Sequence, residues 1–336
     1  MSKGILTVTV NPAVDVTVSL TFSVLRSIPT LAYARSGPRL SPPKADERRG
    51  QLCVLSAGGK GINVARVLRK LRAPVLAVGL AGGGTGELLQ KFLHKEKISA
   101  AFVRTREPTR LNVTVLGPRP GNCSRVIEEG PRLTPQEIRR FEIRYRQWLR
   151  RSYFVVLSGR NAVGAPVDWY ARLVRLARQE DVPAAVDTSG ATLAAALKAK
   201  PFLIKPNLEE AEAIVHCRLK SPVEIKKAIR QFHARGIRVV LLSLGSRGAV
   251  VSDGRNIFCA RPPRVGAVND VGCGDALLAG FIQAHCVRKF LSEALRQAVA
   301  CGTANALNST PGLIRLNDVL RLTKIVTVSN WRPLGQ

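Results

Sequence analysis

Gly272-Cys273-Gly274-Asp275 runs straight into Ala276-Leu277-Leu278-Ala279-Gly280-Phe281, so small residues and one carboxylate open an apolar run. Small residues let a backbone approach an anion closely, and a helix starting at about Asp275 would point unpaired N–H groups at it. A carboxylate at that spot stands close to where a transferring phosphoryl group would sit. It could take the proton of an attacking hydroxyl while the backbone N–H groups stabilise the developing charge. The same residues also fit a glycine-rich loop whose Asp merely caps the first turn, and spacing alone leaves both readings open.

Outward from this join, short apolar runs alternate with helical patterns. Residues 5–10 are β-rich and end at the turn Asn11-Pro12; the runs 75–80, 153–157, 184–187, 202–205 and 238–244 read as buried strands. The segments 86–95, 135–150, 167–180, 190–199, 208–216 and 222–235 read as helices, and Ser56 to Gly61 as a glycine-rich turn before a helix carrying Val64, Val67, Leu68 and Leu71 on one face. After 275 the pattern is helical to about 308, with a last helix near 316–324, while 100–130 alternates like an antiparallel ribbon. Strands alternating with helices imply an α/β fold with a mostly parallel sheet covered on both faces. Residues 20–50, with scattered prolines and the patch Lys44–Arg49, read as an exposed insertion.

The charge balance is +29 from 52 Lys+Arg against 23 Asp+Glu, which favours anionic partners: phosphorylated metabolites, nucleic acid or acidic lipid. Arginines cluster at Arg139, Arg140, Arg144, Arg146, Arg150 and Arg151, but aromatics are 5% and no nucleic-acid signature accompanies them, which leaves nonspecific polyanion binding as the alternative to a solvated basic surface. Seven scattered cysteines with no C-x-x-C pair fit neither a disulfide framework nor a zinc site, and point to a reducing cytoplasm. The uncharged stretch 297–314 contains Gln297, Asn305, Asn308 and Pro311, so it reads as a buried helix and loop rather than a membrane span. Asp15 interrupts the N-terminus too early for a signal-peptide core. The expectation is a cytoplasmic protein without membrane association.

In open α/β sheets ligands sit beyond the carboxyl ends of strands, where Asp15, Lys205, Asn207 and the segment Ser243–Gly248 fall. With those residues in place, the chain resembles the PfkB (ribokinase-like) carbohydrate kinases, closest to the branch of 1-phosphofructokinase and tagatose-6-phosphate kinase. The likeness rests on seven pieces in order: Asn11–Asp15, Ala57–Ala65, Thr109–Asn112, Asp187–Gly190, Lys205–Glu210, Ser243–Gly248 and Val271–Asp275.

The resemblance implies a ribokinase-like three-layer α/β/α sandwich with a mostly parallel central sheet and a small β lid. One kinase domain would span 1–328, with lid elements at about 11–56 (the insertion 20–50 included) and 100–130, and a tail at 329–336. It implies ATP-dependent phosphorylation of a ketohexose phosphate to a bisphosphate. Asp275 looks like the general base, with Gly272, Cys273 and Gly274 as anion hole. Asp15, Gly59, Lys60, Gly61, Asn63 and Arg110 would line the sugar-phosphate site, Lys60 and Arg110 facing its phosphate. Lys205, Asn207, Ser243, Gly245, Gly248, Thr303 and Asn308 match positions that contact ATP. Asn207 and Glu210 would organise Mg²⁺ through water. Asn305 and Asn308 lie near a monovalent-cation loop of some relatives, and a homodimer through the lid is a further implication.

Two departures stand out. The stretch from Asp15 to Gly58 is longer than relatives usually have, and Ser158-Gly159-Arg160-Asn161-Ala162 places Arg160 where they carry a small residue touching substrate. Arg160 is expected either to add a cation for a phosphate or to change which sugar fits. A kinase of an unphosphorylated sugar or nucleoside, and a non-catalytic polyanion-binding protein on the same fold, are the alternatives.

Overall fold

The computed structural model describes residues 3–19, 53–116 and 123–331; the insertion expected at 20–50 lies outside them. Ten strands form the central sheet: β1 (Gly4–Thr9), β4 (Val75–Ala81), β5 (Ser99–Arg104), β8 (Ser152–Ser158), β9 (Ala184–Asp187), β10 (Leu203–Ile204), β11 (Val239–Ser243), β12 (Ala249–Ser252), β13 (Ile257–Arg261) and β14 (Thr327–Asn330). Their spatial order is β14-β13-β12-β11-β10-β9-β8-β1-β4-β5. Every pair from β11 to β5 is parallel, whereas β12, β13 and β14 add an antiparallel edge. Strand β10 is two residues long because Pro201 and Pro206, which lack a ladder donor, bracket its neighbourhood.

Helices cover both faces. One layer holds α3 (Pro135–Leu149), α4 (Trp169–Gln179), α5 (Gly190–Leu197), α6 (Leu208–Val215) and α7 (Pro222–Ala234), packed through Phe141, Tyr145, Trp169 and Phe232. The opposite layer holds α1 (Lys60–Lys70), α8 (Cys273–Cys286), α9 (Leu291–Ala306) and α10 (Leu316–Ile325), around Val64, Leu68, Phe281 and Leu295. Each large apolar side chain so enclosed contributes about 1.5–3 kcal/mol relative to exposure. Helix α2 (Gly83–Lys95) joins Val14, Ala57 and Ile62 in a third cluster beneath the lid.

The lid is a four-stranded sheet in the order β3-β2-β6-β7, made of β2 (Ala13–Ser19), β3 (Cys53–Gly58), β6 (Arg110–Leu116) and β7 (Cys123–Ile127).

Several expectations change here. The antiparallel character expected over 100–130 belongs to β6 and β7 only; β5 is a parallel edge strand of the main sheet, as hydrogen bonding to β4 from Ser99 to Arg104 requires. Ser56–Gly58 is strand, paired with β2, rather than turn. The helical stretch from 275 to 308 is two helices that fold back on each other, with Arg288 at φ 60 at the break and no Gly or Pro to mark it. Strand β14 carries the sheet to Asn330, past the 328 boundary. Helix α1 is buried from Gly61 to Leu68 rather than along one stripe, because it lies between the sheet and α8. No helix among the described residues is long and apolar enough to cross a membrane.

Candidate active site

Five parallel strands deliver their carboxyl ends to one edge: β1 leads through Asn11-Pro12 to Asp15, β8 to Arg160, β9 ends on Asp187, β10 leads to Lys205 and Asn207, and β11 ends on Ser243. Helix α8 arrives at the same edge with Gly272 as its N-cap at φ 82, a left-handed conformation, and a Cβ there would come within 2.9 Å of the Gly312 nitrogen. Backbone geometry and crowding both demand glycine at that position.

Asp275 is the third residue of α8 and only 5% exposed. Asn63 on α1 donates its Nδ2 to Asp275 Oδ2 at 2.8 Å. Burial, and next the negative charge of Asp187, push the Asp275 carboxyl up to about 6 against the pull of Lys60, Asn63 and Lys205. A carboxylate poised near neutrality suits a general base.

Asp187, 1% exposed, ties the lysines together: Lys60 Nζ and Lys205 Nζ lie 3.2 and 3.3 Å from the same Oδ1, and Ser158 Oγ donates to Oδ2 at 3.2 Å. Burial favours its proton, but Lys205 and Lys60 outweigh burial and hold the carboxyl below its ordinary value. The charge of Asp187 in turn raises the Lys60 ammonium above its usual range, against burial, with Asp275 and Glu210 assisting. Lys205 Nζ sits over the anion loop, 3.4 Å from where a Cβ on Gly274 would be.

Within the expected anion hole of Gly272–Gly274, the Cys273 N–H donates to the Asp270 carbonyl at 3.3 Å, while the N–H groups of Gly272, Gly274 and the following Asp275 have no backbone acceptor among the described residues. Asn305, wholly buried, holds this loop: its Nδ2 donates to the Val271 carbonyl at 2.8 Å and reaches Cys273 Sγ at 3.4 Å, while its Oδ1 accepts from Gly312 N at 2.7 Å. Asn305 is therefore committed to the loop rather than to a cation. A polar side chain near the end of the mostly apolar Val299–Ala306 run was the signal for it.

On the side expected to take the sugar, Asp15 Oδ1 accepts from Asn112 Nδ2 at 2.8 Å, and burial keeps the Asp15 proton more tightly bound than usual despite Asn112, Arg110 and Arg66. Gly59 (φ 116) caps α1, and a Cβ on Gly61 would overlap Thr9, so the helix start rests directly on the end of β1. Arg110 is 9% exposed; its terminal nitrogens donate to the carbonyls of Glu128 (2.8 Å) and Asn11 (3.1 Å), and its Nε is buried without a partner. Burial lowers its pKa, Asp15 opposes this, and Arg160 adds repulsion. Arg160 is exposed and close enough to Arg110 for that repulsion.

On the side expected to take the nucleotide, Asn207 and Glu210 cap each other across the start of α6: Asn207 Oδ1 accepts from Glu210 N at 2.8 Å and Glu210 Oε2 from Asn207 N at 3.0 Å. Ser243 pairs with Asn207 in an isolated bridge, and Gly245 and Gly248 follow in a tight turn at φ 61 and φ 96. Thr303 and Asn308 lie on and just past α9, but Thr303 Oγ1 donates to the Val299 carbonyl and Asn308 Nδ2 to the Ala304 carbonyl, both at 2.8 Å. Both side-chain donors are engaged by carbonyls of α9. A cleft of ≈ 680 Å³ between α5 and α6 touches this edge only through Gly190 and Glu210, so the chemistry, not the volume, locates the site.

Asp275, Asn63, Lys60, Asp187, Lys205 and Gly274 thus form one contiguous cluster, with Asp15 and Arg110 on one side and the Asn207–Glu210 cap on the other. The pattern of the pfkB family carbohydrate kinases matches residues 33–314. Phosphofructokinase-2 of Escherichia coli, solved with substrates and products, is 29% identical over 96% of this chain and 99% of its own, with a TM-score of 0.82. The same enzyme solved with potassium is 28% identical over 97% and 99%, again at 0.82. A ribokinase of Arabidopsis thaliana complexed with ribose and ATP shares the fold at 20% identity over 96% and 99%, with a TM-score of 0.71. With a ribokinase-like sandwich, its covered sheet and a family match over most of its length, the chain belongs to the pfkB family of carbohydrate kinases, phosphotransferases that act on sugars.

Proposed function

We propose that this kinase transfers the γ-phosphoryl group of ATP to a hydroxyl of a ketohexose phosphate, giving a bisphosphate, with 1-phosphofructokinase or tagatose-6-phosphate kinase chemistry as first choice. The observation that carries the reading is Asp275: buried, hydrogen-bonded by Asn63, with its carboxyl pushed up to about 6, at the open first turn of α8. The sugar hydroxyl attacks in line, Asp275 accepts its proton, and the N–H groups of Gly272, Gly274 and Asp275 with Lys205 meet the charge on the moving phosphoryl oxygens. Asp15 accepts hydrogen bonds from sugar hydroxyls, and Gly59, Lys60, Gly61 and Asn63 shape the pocket around them. Ser243, Gly245 and Gly248 wrap the nucleotide, with α9 alongside through Thr303 and Asn308.

Among the described residues no three His, Cys, Asp or Glu side chains converge as a metal cage. The residues present fit Mg²⁺ held through water and substrate phosphates, with Asn207 and Glu210 orienting those waters. Bound there, the ion neutralises phosphate charge.

Lys60 and Arg110 are the cations assigned to the substrate's own phosphate, and Arg160 either adds a third or changes which sugar fits. A free-sugar kinase is the second reading, and one feature favours it: the terminal nitrogens of Arg110 are already engaged by carbonyls. Turnover of fructose 1-phosphate, fructose 6-phosphate, tagatose 6-phosphate and free fructose with ATP·Mg²⁺ separates the two. Faster turnover of the free sugar would sink the first. Near-normal turnover by Asp275→Asn would sink the assigned base.

A lid-mediated homodimer is part of the same proposal. Val54 and Leu55 on β3 and Val126 and Ile127 on β7 are exposed on the lid, and the Escherichia coli neighbour has been solved in a tetrameric inhibited form. Sedimentation of the purified protein tests it; a monomer at micromolar concentration counts against it.

A further inference from the structure

Arg66 carries no role in the reading so far, yet it is the most completely satisfied cation in the described structure. It is 4% exposed on α1, one turn after Asn63. All five of its N–H donors have acceptors. Nε and NH2 grip Glu96 Oε2 and Oε1 at 2.6 and 2.9 Å; NH2 also reaches the Ala57 carbonyl at 2.8 Å; NH1 reaches Asn63 Oδ1 at 3.1 Å and the Pro311 carbonyl at 2.8 Å. One side chain so fastens the base of the lid, the first helix, the end of α2 and the loop that packs on Gly272.

The chemistry of the fork has a directional consequence. A guanidinium offers donors only, so the atom of Asn63 that faces it must be the amide oxygen. The amide nitrogen then points the other way, where Asp275 Oδ2 receives it at 2.8 Å. An asparagine amide is nearly symmetric in shape, and only such a partner distinguishes its two ends. If the amide turned over, two oxygens would face each other in a dry site.

We propose that Arg66 is the positioning residue that fixes which end of Asn63 meets Asp275, keeping the other carboxylate oxygen free for the reacting hydroxyl. The proposal rests on Asp275 being the general base. Other groups facing Asp275 are Asp187 at the end of β9, Lys60 at the start of α1, Lys205 beyond β10 and Cys273 on its own helix. None of these touches Arg66 in the described structure, so its effect runs through Asn63.

The test is the pH dependence of kcat/KM between pH 5 and 8 for wild type, Arg66→Gln, Asn63→Ala, their double variant and Glu96→Ala. Glutamine at 66 can donate or accept and no longer selects the orientation. Losing an oriented donor makes the carboxylate harder to form, so the acid limb rises by about one pH unit in Arg66→Gln and in Asn63→Ala. The double variant rises no further than Asn63→Ala alone, the signature of one route. Glu96→Ala, at the outer end of the fork, gives a smaller rise in the same direction and replaces Arg66→Gln if that variant fails to fold. Arg66→Lys, also donor-only, keeps a limb near wild type. An unmoved limb in folded Arg66→Gln, or in Glu96→Ala where Arg66→Gln does not fold, overturns the proposal, as does an additive double variant. Activity surviving in Asp275→Asn would instead overturn the base assignment, whatever the Arg66 variants do.

Discussion

Replacing Asp275 by Asn is expected to inactivate the enzyme and to stabilise it. The folded protein holds the Asp275 proton up to about 6, against an ordinary value of 3.8. A raised carboxyl binds its proton more tightly folded than unfolded, so at neutral pH the ionised group opposes folding, and that cost fades as pH falls through the folded value. The gap of roughly two pH units corresponds to about 3 kcal/mol at pH 7 and roughly half of that at pH 5, and most of it is gone by about pH 4. Asparagine keeps an oxygen for Asn63 and carries no charge. For 336 residues the unfolding entropy near the melting point is about 0.7 kcal/mol/K, so Tm should rise by about 4 °C at pH 7.5, and by about half as much at pH 5. Calorimetry of both proteins at the two pH values measures this, while ADP release follows turnover, which should fall by several orders of magnitude. A variant no more stable than wild type at pH 7.5, or a gain that ignores pH, would refute the claim that burial and Asp187 strain this carboxylate.

Asp187→Asn should act in the opposite sense. It leaves Lys205, 4% exposed, beside no ionised partner but Asp275, costing roughly 3–5 kcal/mol in urea unfolding, while removal of the negative charge moves the acid limb of activity below its wild-type position. Arg160→Ser should raise KM for a sugar phosphate about tenfold with little change for a free sugar; an unchanged profile across a substrate panel removes Arg160 from the site. A Cβ on Gly58 would run into the Asp15 carboxylate, so Gly58→Ala should raise KM for the sugar substrate and leave KM for ATP unchanged, and a reversed pattern would misplace Asp15.

The parallel half of the sheet was legible because its strands are continuous apolar runs, and the observed β9 (Ala184–Asp187) coincides with the expected run. Helix starts with a cap signal were equally plain: Thr134, Asn207 and Ser221 each close a capping box. Helix ends were legible to within a residue at Lys95, Leu149, Gln179, Val215 and Ala234, whereas the break inside 275–308 was missed because Arg288 takes positive φ where a glycine would have announced the stop. The antiparallel pairing of β13 with β14 and the parallel pairing of β2 with β6 depend on partners far along the chain, which local periodicity does not encode. The same holds for the site. Asp275 and Asn63 stood out as motif residues, but their hydrogen bond spans 212 positions. Arg66 reads in sequence as an ordinary cation on an amphipathic helix, and only tertiary packing buries it. Asp187 was recognised in a motif, yet nothing local foretells that it holds two lysines.

On the proposed function, that shared carboxylate would keep the resting pocket quiet toward the wrong guests. With both ammonium groups already answered by one internal oxygen, a stray chloride or acetate gains little by entering. On the same reading, a polyphosphate chain would draw Lys205 onto itself, and because Lys205 is 4% exposed, exchanging one anion for another there would require no fresh stripping of water from its ammonium group. Discrimination between donors would then begin with how many negative oxygens a visitor can present together, before any contact with its base.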